Sequence, residues 1–84
     1  MAVDIKNMMY NSLKSTYQAL IDSAETTLEI YFTKSVGIGE HPQHLDEMTK
    51  LIDIIASNED RINTLKAYFS EYSQPEDIPN EKKN

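Results

Sequence analysis

At 84 residues with no cysteine, the chain holds one domain at most, and disulfides, thiolate metal sites and cysteine nucleophiles are excluded. Its net charge of -6 repels phosphate backbones and anionic headgroups, so neither a nucleic acid nor a membrane surface is expected as a partner. Most of the acidic excess falls after Ser35.

Met1-Ala2-Val3-Asp4-Ile5-Lys6 lacks the basic stretch followed by an apolar one that marks a secretory leader. No apolar run reaches the roughly 18 residues needed to cross a bilayer. A soluble intracellular chain is the expectation. From about Asp4 to Ser35 there is no glycine or proline, and an uninterrupted stretch with helical periodicity reads as a helix. Leu13, Tyr17, Leu20, Ala24, Leu28 and Tyr31 form its apolar stripe at spacings of three and four. Met9 and Ile5 extend the stripe backward, and Ile21 broadens it. Asp4 suits the N-cap position, and Lys34 favours the negative end of the helix dipole.

Residues 36–41 are the predicted turn. Val36-Gly37-Ile38-Gly39-Glu40-His41-Pro42 offers glycines that accept the left-handed backbone ending a helix. Pro42 fits a first helical turn, with Asp46 and Glu47 near the positive dipole end. The second predicted helix runs from about 42 to 73. Met48, Leu51, Ile55, Asn58, Ile62, Leu65, Phe69 and Tyr72 recur at alternating steps of three and four, a coiled-coil-like seam broken only by Asn58. The tail, residues 74–84, is polar and charged with two prolines and is expected to be disordered.

So short a connection predicts antiparallel neighbours. The fold class expected is all-α: a long two-helix hairpin over residues 1–73. Folding at residue 38 pairs Leu28 with Met48, Ile21 with Ile55 and Leu13 with Ile62. The apolar surface is wider than one stripe per helix, since Leu45, Ile52 and Ile54 flank the second and Ile21, Ile30 and Phe32 the first. Association covers such a surplus at roughly 1.5–3 kcal/mol per buried side chain. A homo-oligomer is therefore expected, a dimer forming a four-helix bundle first of all. Asn58 reads two ways: a polar core residue that fixes register, or a solvent-facing one beside Glu59, Asp60 and Arg61.

The open end of the hairpin gathers Met9, Tyr10, Tyr68 and Phe69. Ile21, Ile52, Ile54, Asn58, Met9, Tyr68 and Phe69 are the candidate self-association or partner surface. Tyr10, Lys14 and Tyr17 are candidate ligand contacts at a subunit boundary, where aromatic rings and a cation could hold a nucleobase. His41 and His44 lack a third ligand at metal-binding spacing. Glu40 opposes an anion at the turn. No metal, no cofactor and, for want of a triad, phosphate loop or paired carboxylates in a cleft, no catalysis is expected.

The turn segment Val36-Gly37-Ile38-Gly39-Glu40-His41-Pro42, followed by an acidic helix and Leu65-Lys66-Ala67-Tyr68-Phe69, resembles short, mostly uncharacterised accessory proteins of T4-like tailed phages. The resemblance covers about residues 20 to 69. This chain has Lys34-Ser35 where the resemblance leads one to expect Asn-Pro. The likeness implies a phage origin and the host cytoplasm, and carries no functional residues with it. Size, acidity and apolar surplus then point to a non-enzymatic protein that binds a host or phage macromolecule, of the inhibitor or anti-defence type. The alternatives are an oligomeric sponge for a nucleotide second messenger, and a virion structural protein or assembly chaperone.

Overall fold

Two helices packed against each other make up the fold. The computed structural model describes residues 4–34 and 42–73. Helix α1 spans Ile5–Lys34 and helix α2 spans Pro42–Phe69, followed by a short 3-10 turn, Ser70–Tyr72. The predicted turn and tail, residues 36–41 and 74–84, lie outside the described residues.

Helix α1 starts where its cap allows. The Asn7 backbone N–H donates to Asp4 Oδ1 at 3.2 Å, and the Met8 N–H donates to the Asp4 carbonyl at 3.0 Å. The first satisfies a donor that a helix N-terminus leaves without an internal partner, and the second is the opening i→i−4 bond of the helix. Two of its exposed threonines bond back one turn. Thr26 Oγ1 donates to the Asp22 carbonyl at 2.8 Å, and Thr33 Oγ1 to the Glu29 carbonyl at 2.8 Å. Such bonds share a carbonyl that the helix already engages and weaken it slightly.

Helix α2 opens on Pro42, whose absent N–H costs nothing at the first helical position. Asp46 and Glu47 fall in the second turn, and the first turn holds no acid, so their dipole contribution is weaker than the sequence implies. The α-helix stops at Phe69, four residues before the expected end. There the chain tightens into the 3-10 turn, and both the Ser73 N–H and its hydroxyl donate to the Ser70 carbonyl at 2.9 and 2.7 Å.

The interior lies in the seam between the helices. On α1 it follows Asn7, Tyr10, Lys14, Tyr17, Ile21, Ala24, Leu28 and Tyr31, a run of alternating threes and fours in which Tyr10, Ile21, Ala24 and Leu28 are buried and the others half-buried. On α2 it runs from His44 through Met48, Leu51 and Ile55, all half-buried, to the buried Asn58, Ile62 and Leu65. In the first half of α1 this row is turned one residue from the expected stripe. Tyr10, Lys14 and Ile21 replace Met9, Leu13 and Leu20, which are exposed. Continuity explains the difference. An unbroken heptad through Ala24 and Leu28 passes through residues 10, 14, 17 and 21, and the hydrophobicity of neighbouring side chains does not divert it. Half-buried Lys14 can lay its aliphatic stem along the seam.

Contacts link the helices at both ends and at mid-length. Asn7 Nδ2 donates to the Tyr72 carbonyl at 2.8 Å. The Arg61 guanidinium lies 5.9 Å from the Tyr17 ring centroid. The rings of Tyr31 and His44 meet edge to face at 5.6 Å.

Candidate interaction surface

The helix phase decides which predicted surface residues face outward. Ile21 and Asn58 do not. Ile21 is buried, and Asn58 is 2% exposed, because both belong to the row that closes the hairpin. Neither can serve a partner surface. Asn58 takes the buried position of its two readings and does not face solvent. Its Nδ2 donates to the Ile54 carbonyl at 2.8 Å, and its Oδ1 accepts from Arg61 Nη1 at 3.0 Å. Arg61 in turn lies over Tyr17. A mid-length polar layer therefore joins the two helices, with the Asn58 amide satisfied at both its nitrogen and its oxygen.

Met9, Ile52, Ile54, Tyr68 and Phe69 are exposed, as expected of a partner surface. They do not form one patch. In the heptad, Met9 and Leu13 each precede an interior position of α1, and Ile54 precedes the half-buried Ile55 of α2, with Tyr68 two heptads further on. Ile52 and Leu45 follow interior positions instead, which places them on the other side. The apolar stripe read from the sequence puts Leu13 and Leu20 in the interior, and their outward position makes them part of the first side. The signal that finds them is the phase of the whole heptad rather than the local density of leucines.

Two shallow grooves mark the first side toward the open end. One, of about 300 Å³, is lined by Lys6, Met9, Tyr10, Leu13, Leu65, Phe69 and Tyr72. The other, of about 280 Å³, runs on past Leu13 between Tyr17 and Asp60, Arg61 and Thr64. The first is almost wholly apolar, with one cation, since Lys6 Nζ sits 5.6 Å from the Tyr72 ring centroid. Tyr68 and Phe69 stack obliquely beside it, their centroids 6.5 Å apart. An apolar groove with few polar groups suits side chains of a partner helix better than it suits a charged metabolite.

The candidate ligand residues are less open than expected. Tyr10 is 3% exposed, and Lys14 and Tyr17 are half-buried in the seam. With Arg61 on its ring, Tyr17 offers no open stacking platform. His44 packs on Tyr31, and His41 lies outside the described residues. Among the described residues no three His, Asp or Glu side chains converge as metal ligands, and no helix is long and apolar enough to cross a membrane.

No protein-family model matches the chain, and neither a curated protein nor a solved structure shows significant similarity to it. The surface itself is therefore the basis for a functional reading.

Proposed function

We propose that this chain is a non-enzymatic binding protein. In this reading its antiparallel hairpin self-associates into a helical bundle, and the bundle acts by binding a host or phage protein in the host cytoplasm, as an inhibitor or anti-defence factor. The observation that carries the reading is the apolar surface left open by the hairpin: Leu45 at 69%, Phe32 at 63% and Tyr68 at 72% exposure, on two different sides. Phe32 and Leu45 flank the Tyr31–His44 contact on one side, and exposed apolar side chains that adjoin in this way mark interaction sites. Two separate sides allow one to be used by the protein itself and the other by a partner. The resemblance of residues 36–42 to the turn of tailed-phage accessory proteins supports the setting.

The grooves support binding over catalysis. The larger one is lined mostly by apolar side chains, with one lysine and two tyrosines, a composition that suits packing against a partner better than holding a polar substrate.

The test is a pull-down from infected-host lysate with the full chain and with the double variant Phe32→Asp/Leu45→Asp, which changes the side lacking the grooves. The expected result is one stoichiometric protein retained by the wild-type chain and lost with the variant, with a matching loss of effect in infection. A chain that retains nothing, and a variant equally active in infection, contradict the reading. A thermal shift with cyclic nucleotides would favour the sponge instead, since ligand at 100 times its dissociation constant adds about 2.7 kcal/mol. Recovery of the chain from purified virions would favour a structural role.

A further inference from the structure

We infer that the groove-bearing side of the hairpin, with Met9, Leu13, Leu20, Ile54 and Tyr68, docks onto the same side of a second copy about a two-fold axis near Leu20 and Ser57. This rests on the self-association proposed above and specifies the surface that performs it.

The distribution of charge selects the side. On α1 the row that precedes the interior positions runs from Lys6 through Met9, Leu13, Thr16 and Leu20 to Lys34. It contains no acid. Asp22, Glu25 and Glu29 all fall in the row that follows the interior positions Ile21, Ala24 and Leu28, on the opposite side. On α2 the corresponding row from Lys50 to Tyr68, through Ile54, Ser57, Arg61 and Thr64, is also free of acids. Glu47, at one end of that row, is held by Lys50 at 3.4 Å, and Asp60 reaches the second groove next to Arg61. The two rows border the same side, because Leu13 shares one groove with Arg61 and Thr64. A chain of net charge -6 thus has one side where bases outnumber acids and large apolar side chains recur. Two copies meeting there avoid the acid-to-acid repulsion that any contact through the opposite side would incur.

Size and shape also fit a second copy. Exposed fractions of the five side chains run from 38% at Ile54 and 44% at Leu13 to 72% at Tyr68. These large side chains and the grooves between them are the apolar surface that a specific interface of about 1,000 Å² or more would draw on. Thr16, Ser23, Ser57 and Thr64 are small, which lets helix pairs approach closely at mid-length. Leu20 and Ser57 stand near the middles of Ile5–Lys34 and Pro42–Phe69, where a two-fold axis brings each residue close to its own copy.

The chain has no cysteine among its 84 residues, so single cysteines report the contact directly. Leu20→Cys and Ser57→Cys are placed near the axis, and Ile52→Cys is the control on the acidic side. Full-length variants, checked by circular dichroism for native helix content, are oxidised mildly and run on a non-reducing gel. The expected result is several-fold more covalent dimer for Leu20→Cys or Ser57→Cys than for Ile52→Cys. Preferential crosslinking of Ile52→Cys overturns the assignment of the side while leaving self-association intact. Absence of crosslinking in all three, with a dimeric mass by light scattering, also overturns it. A monomeric mass removes the underlying reading as well.

Discussion

Leu65→Ala is expected to unfold most of the chain at micromolar concentration and room temperature. Leu65 is 8% exposed and lies toward the open end of the seam, where it also lines both grooves. Truncating a buried leucine costs about 2–5 kcal/mol. A core drawn from so few residues rarely supplies more than about 3–5 kcal/mol in total. Helical circular dichroism at 222 nm should fall by more than half, and with the self-association proposed above, raising the protein concentration should restore part of it. The same truncation at the exposed Leu45 is the control and should leave the signal unchanged. A Leu65→Ala chain as helical and as heat-stable as wild type would show that the seam is not the core.

Asn58→Leu is expected to raise the melting temperature and to broaden the distribution of oligomeric states. Asn58 is almost fully buried, its Nδ2 donates to the Ile54 carbonyl, and its Oδ1 accepts from Arg61, which lies over Tyr17. Replacing it with leucine removes a desolvated amide and adds apolar contact, a change that is often stabilising. It also removes the polar position that distinguishes this register from others in the apolar stretch of α2 from Met48 to Leu65. Sedimentation velocity should then show more than one species. Asn58→Ala should instead lower stability by about 1–2 kcal/mol, because it loses the bonds and fills nothing. A single unchanged species for Asn58→Leu, with an unchanged melting temperature, would mean that the polar layer sets nothing.

Sequence is most informative where one period runs without interruption. The α2 seam from Met48 to Leu65 is read directly from its apolar residues, and only Phe69 departs from it, at the point where the helix gives way to the 3-10 turn. Helix α1 is harder to phase because Leu13 and Leu20 stand beside Lys14 and Ile21. Local hydrophobicity favours the leucines, while the heptad through Ala24 and Leu28 favours the others. That single rotation turns Met9, Leu13 and Leu20 outward and Ile21 inward. On α2 the heptad likewise separates Ile52 from Ile54, so that a patch expected as one is two. The charge asymmetry of α1 becomes visible only once its phase is known, since Asp22, Glu25 and Glu29 look evenly spread along the chain until they are placed in one row.

Self-association requires the open apolar side to be covered by a second subunit. Sedimentation equilibrium of the full chain tests this most directly. The expected result is a mass of twice 9.6 kDa at tens of micromolar, with dissociation on dilution and with Leu20→Asp. A mass of 9.6 kDa at every concentration, unchanged by that substitution, would contradict it.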